Sequence, residues 1–141
     1  MPVFSTGLLM DAENFPVHGR LTAVPRDLDP INGAYELYVG DEGAAVVFVV
    51  FHQGEPLDVR PYRVLLLADE VEGAPFELRD APNAEPAADA RRGEVRWAVP
   101  AAVTARPSVF RAQVAVVEEG RLSRASNVLR FRVRPRVGEG G

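Results

Sequence analysis

From residue 35 onward the apolar positions recur with a period of two, not 3.6. Val95, Trp97 and Val99 alternate with Glu94, Arg96 and Ala98, and Phe110, Ala112, Val114 and Val116 share one face of a later run. Near the end, Leu129, Phe131 and Val133 point one way while Arg130, Arg132 and Arg134 point the other, as a half-buried strand requires. Twelve glycines and twelve prolines break the chain too often for a long helix. The pattern predicts strands at Tyr35–Val39, Ala45–His52, Arg63–Ala68, Phe76–Asp80, Glu94–Val99, Val109–Val117 and Asn127–Val133. Such a series of short strands with turn signals between them predicts an all-β protein, an immunoglobulin-like antiparallel β-sandwich of about seven strands with an N-terminal extended arm. Glu118-Glu119-Gly120 predicts a hairpin between the last two strands, and Pro135 ends the final one.

Ala45–Phe51 and Val64–Ala68 break the alternation, being apolar on both faces. A strand of that kind wants cover on its second face, here from the N-terminal segment or from another subunit. Residues 1–34 are too apolar for a free tail and too broken by Pro2, Pro16, Pro25 and Pro30 for a domain. They are expected to form an arm docking on the chain's own sandwich or on a neighbour. Val17–Val24 is a candidate extra strand, and Asp27 to Gly33 reads as turns and linker. The expected organisation is therefore an arm at 1–34, the sandwich at 35–136 and a flexible tail at 137–141, with a flexible alanine-rich loop at 81–92.

At 141 residues the chain is long enough for one domain core. All sixteen basic residues are arginine, which removes lysine Schiff-base and phosphate-loop chemistry. Charge is segregated: residues 1–58 carry a net −7, residues 59–90 a net −4 and residues 91–136 a net +8, inside a total of −4. An acidic front and a basic rear neutralise each other within the fold or pair head to tail between copies. The longest apolar run, Ala44 to Phe51, is too short for a membrane helix, and no basic leader precedes Leu8-Leu9-Met10, so neither a membrane span nor a secretion signal is expected.

Candidate chemistry is sparse. With no cysteine and only His18 and His52, no transition-metal constellation is spelled out. Asp41-Glu42 and Asp69-Glu70-Glu72 gather carboxylates in loops, and the expectation is solvated acids and not a calcium site. There is no Gly-x-Ser-x-Gly, no triad context for either histidine and no pair of acids set apart for glycoside hydrolysis. Trp97 sits in an alternating strand and reads as core. The chain is therefore read as non-enzymatic, with no cofactor, no metal and no small-molecule substrate. The sharpest feature is the arginine stripe Arg130, Arg132 and Arg134, with Arg136 and Arg111 as possible extensions. The net acidity and the lack of interleaved aromatics argue against nucleic acid and for neighbouring acids or a protein partner. Candidate partner-binding residues are Val3, Phe4, Leu8, Leu9, Met10 and Phe15 in the arm and Arg130, Arg132 and Arg134 in the stripe.

Tyr38-Val39-Gly40-Asp41-Glu42-Gly43 before Val46–Phe51, the step Gly54-Glu55-Pro56-Leu57-Asp58-Val59 before Val64–Leu67, Gly93-Glu94-Val95-Arg96-Trp97, Phe110-Arg111-Ala112-Gln113-Val114 and Arg130-Phe131-Arg132-Val133 follow one another in order. In this order residues 35–134 resemble the N-terminal (BppU-type) immunoglobulin-like domain of phage upper baseplate proteins. The resemblance implies a scaffold without an active site: a virion component of tail or baseplate, assembled in the host cytoplasm, whose partners are other virion proteins and copies of itself. A capsid decoration or head-fibre protein is the nearest alternative. A bacterial surface or carbohydrate-binding module, which would need exposed aromatics among Tyr35, Tyr38 and Tyr62, is the other.

Overall fold

The computed structural model describes residues 20–40, 45–69, 75–118 and 123–135. Among them, ten strands run in chain order: β1 Leu21–Pro25, β2 Tyr35–Tyr38, β3 Ala45–His52, β4 Glu55–Pro56, β5 Arg63–Ala68, β6 Phe76–Leu78, β7 Glu94–Ala98, β8 Ser108–Val117, β9 Ser123–Ala125 and β10 Leu129–Arg134. One 3-10 turn, Ala90–Arg92, leads into β7.

The first sheet is built on β3. β1 lies antiparallel along one side of it, while β7 and the short β4 share the other. The second sheet has the order β2-β10-β8-β5-β6, with β9 continuing the β10 side of β8. All its pairs are antiparallel except β2 with β10, which run parallel with Tyr35 opposite Phe131 and Tyr38 opposite Arg134. The chain thus places β1 in one sheet and β2 in the other. The swap occurs at a tight turn in which Ile31 and Ala34 exchange backbone hydrogen bonds around Asn32 and Gly33, both at positive φ. Asn-Gly adopts those angles at little cost. Gln53-Gly54, also at positive φ, closes the β3–β4 hairpin in the same way. The architecture is an all-β, immunoglobulin-like sandwich.

All seven expected strands are present, five with shifted ends. Phe76–Asp80 stops at Leu78, and Asn127–Val133 begins at Leu129. The expected last hairpin is split: β9 pairs with the end of β8, and β10 takes up its beginning after a break at residues 126–128. Ser126 holds that break. Its Oγ accepts from the Val114 N–H at 3.0 Å and donates to the Asn127 carbonyl, and its own N–H reaches the Val114 carbonyl at 2.8 Å.

Within the expected arm, the candidate strand at Val17–Val24 is present as β1, Leu21–Pro25, which docks on the chain's own sandwich and buries Leu21 and Ala23 against the core. The loop at 81–92 differs from expectation. It is tied down by an Ala81–Ala88 bridge, by Arg26 donating to the Ala87 carbonyl at 2.8 Å and by Arg96 donating to the Glu85 carbonyl at 3.2 Å. Arg26 and Arg96 sit on either side of Val47 in register, and Val47, on the outer face of β3, is only 2% exposed. Part of the second apolar face is therefore covered by the chain's own loop. Residues 1–19 and the tail from 136 onward lie outside the described residues.

The core lies between the sheets around Trp97, whose ring is 5.5–6.4 Å from those of Phe48, Phe76, Phe110 and Phe131. Phe110 and Phe131, partners across β8 and β10, stack at 5.3 Å. Offset and edge contacts of this kind add to the area term of such large side chains. The reading of Trp97 as core is correct.

Candidate assembly surface

The inward residues of β10 are Leu129, Phe131 and Val133, so the pleat sends Arg130, Arg132 and Arg134 to the outer face of the second sheet. β2 brings Glu36 alongside. Its carboxylate, with a side chain only 8% exposed, lies 3.5 Å from Arg132 and 3.2 Å from Arg134. One acid thus serves two arginines. Across β10, Arg130 is exposed and stands opposite Arg111 of β8. Arg111 turns to Asp69, which accepts from its backbone N–H at 2.6 Å and from its Nε at 2.8 Å. Those two bonds hold the Asp69 carboxyl below its ordinary range.

The middle of the face is apolar. Gln113 stands beside Leu67 of β5, and its amide donates to the Ser126 carbonyl. One row further, Leu65 stands opposite Ala115, which in turn faces Ala125 of β9. Leu65 and Leu67 are half-buried and Val128 is 50% exposed, while Val109, 59% exposed, stands opposite Arg132 within the arginine margin. At the β6 margin Glu77 accepts from Arg63, a bond that lowers the Glu77 carboxyl. The outer face is therefore an apolar centre between two ionic margins, and the β10 margin carries more arginines than acids.

Of the expected site residues, the structure places Arg130, Arg132 and Arg134 together on this face, two of them held by Glu36. Val3, Phe4, Leu8, Leu9, Met10 and Phe15 lie outside the described residues, as do Asp41, Glu42, Glu70, Glu72, His18 and Arg136. Of the acids considered for calcium, Asp69 is bound to Arg111, and among the described residues no group of three His, Cys, Asp or Glu side chains could hold a metal ion. Glu36, Gln113 and Val128 were not singled out from the sequence. Glu36 alternates with inward residues in the run Tyr35 to Tyr38, which marks it as outward, but nothing in that run names its partners 96 and 98 residues away.

A second charged region lies between the 58–60 turn and the 87–94 segment, lined by Arg26, Arg60, Asp89, Arg91 and Glu94. Three of its charges are engaged locally: Arg60 with Asp58, Arg91 with Asp89, and Arg26 with Glu94 at 3.1 Å. Of the three tyrosines, Tyr35 packs on Phe131 at 5.6 Å and Tyr62 is partly buried against the core, leaving Tyr38 at 39% exposure. Neither the protein-family models nor the curated proteins compared with this sequence match it.

Proposed function

We propose that this chain is a non-enzymatic structural subunit of a phage particle, a tail or baseplate component that works by assembly with other virion proteins and with copies of itself. The observation that carries the reading is the outer face of the second sheet, where Leu65, Leu67 and Val128 lie uncovered or half-covered between ionic margins. A face with a greasy centre and charged edges is the anatomy of a protein–protein contact. The order of the quoted turns and strands, similar to that of upper baseplate domains, supports a particle role over other kinds of assembly. A sugar-binding role has less support, because two of the three tyrosines are engaged with the core.

The test is particle incorporation. Expressed with a tag in cells producing the particles, the chain should co-purify with them through a density gradient, and Leu67→Glu should leave it folded but unincorporated. A wild-type chain that stays wholly in the soluble fraction overturns the reading.

A further inference from the structure

We propose that the edge of β2 turned away from β10 pairs antiparallel with the same edge of a second copy, across a two-fold axis at Leu37. This names the self-contact in the assembly reading above and rests on that reading only for its use in a particle. Parity decides which backbone groups are available. The Val39 N–H bonds the Arg134 carbonyl, so in this parallel register residues 35, 37 and 39 serve β10. Glu36 and Tyr38 therefore turn their N–H and C=O outward, and none of these groups has a partner among the described residues. Other margins of the sandwich are closed. On β1, Ala23 is capped by Asn127 and the next outward residue, Pro25, has no N–H, while β6 is bridged to β7 through Arg79 and Arg96. The run Tyr35-Glu36-Leu37-Tyr38 holds no proline and no lysine to discourage pairing.

The edge is self-complementary. With Leu37 opposite Leu37, Glu36 exchanges both backbone hydrogen bonds with Tyr38 of the second copy, and Tyr38 with its Glu36. Leu37 is buried in the core, so Glu36 and Tyr38 point to the outer face. There Tyr38 of one copy, 39% exposed, meets the Glu36 carboxylate of the other and the Arg134 guanidinium bound to it. What flanks the strand matches too. Asp29 and Ile31 precede it in an exposed turn, Ile31 at 51%. The Gly40 N–H bonds the Thr104 carbonyl, so the loop with exposed Ala101, Ala102 and Arg106 lies at its other end. The two-fold axis sets the turn of one copy beside the loop of the other, Ile31 near the alanines and Asp29 near Arg106. Asp29 and Arg106 are opposite in charge, and neither has an ion pair among the described residues.

Sedimentation of the full-length chain over a concentration series tests this, with thermal unfolding of each variant read in parallel. Wild type is expected to dimerise. Tyr38→Pro removes an outward N–H and no bond to β10, and should weaken association at least about tenfold, whereas Tyr38→Phe should stay near wild type. Asp29→Arg and Arg106→Asp should each weaken it about tenfold or more, because the axis repeats each loss. An equal mixture of those two chains should regain wild-type affinity, since both flanking contacts of the mixed dimer again join opposite charges. Leu67→Glu, on the outer face, should dimerise as wild type does, so this contact and particle incorporation are judged separately. A monomeric wild type, an undiminished Tyr38→Pro dimer or a mixture no tighter than its parents overturns the proposal. Slow amide exchange at Glu36 and Tyr38 in a monomeric wild type assigns the edge to another part of the same chain, and overturns it too.

Discussion

The side-chain carbonyl of Asn127 accepts a hydrogen bond from the backbone N–H of Ala23 at 2.9 Å, joining residues 104 positions apart. Ala23 belongs to β1, an edge strand of the first sheet, and Asn127 precedes β10 of the second. An edge N–H that would otherwise template another strand is thus occupied by a side chain from the facing sheet. At the opposite margin Arg79 and Arg96 bridge the sheets through their backbones, with Arg96 N–H on the Arg79 carbonyl at 2.6 Å.

Ser126 and Asn127 work side by side and differ in burial. Ser126→Ala strands the buried Val114 N–H, and its cost is expected at about 1–3 kcal/mol. Asn127→Ala frees a partly buried edge group that water can reach, at about 1 kcal/mol or less. Urea unfolding of the two variants measures the difference, and equal losses would contradict the assignment.

Gly93 has φ +79°, and a Cβ there would sit 2.5 Å from the Val50 carbonyl oxygen and 2.9 Å from that of Leu57. Gly33, at φ +82°, has nothing within 4 Å. Gly33→Ala should therefore cost only the left-handed penalty, about 1 kcal/mol. Gly93→Ala adds a clash with the backbone of Val50 and Leu57 and should cost roughly 2–4 kcal/mol. Chemical denaturation ranks them, and similar values would refute the close approach.

Hydrogen bonds from the Arg60 side chain, then from its backbone N–H, bring the Asp58 carboxyl from 3.8 down to about 2. Asp89 is lowered in the same direction, first by the Arg91 side chain. A folded-state value below the unfolded one gives stability that is complete above the unfolded value and is lost as pH falls through the folded one. Thermal midpoints should therefore hold steady in the neutral range and decline below about pH 4. In Arg60→Ala, carboxyl NMR should show Asp58 titrating near its ordinary value. An unchanged titration would remove Arg60 as the cause.

Arg26 binds Ala87 and Glu94, and so anchors the loop over Val47. Arg26→Ala should raise amide exchange in residues 81–89 while β3 keeps its protection, since the ladder of β3 does not depend on that guanidinium. Faster exchange throughout β3 would show that the loop and sheet open together.

Much of the sandwich is legible in the residue pattern. The inward sets of β7, β8 and β10 follow from alternation alone, and Asn32-Gly33 announces the turn it makes. The pairing of β2 with β10 is not legible, since alternation says which face a residue takes but not which strand lies beside it or in which direction it runs. β4 and β9 are too short to show a period. The loop at 81–88 read as free because its anchors are arginine side chains on backbone carbonyls, a kind of bond that asks nothing of the loop's own residue types. The same holds at the candidate surface: the arginine stripe was visible, but the acid that holds two of its members was not.

The parallel seam between β2 and β10 also orders events in time. β2 is synthesised almost a hundred residues before the strand it rests on, so Leu37 and Tyr35 have no sheet to join while the chain is still being made. Until β10 emerges, the nascent sandwich lacks one strand beside β8 and leaves the stacked face of Phe110 open to water. Closure of this fold is thus a late event, and a ribosome stalled anywhere before Arg134 holds a sticky, incomplete sandwich and not a shorter version of the same protein.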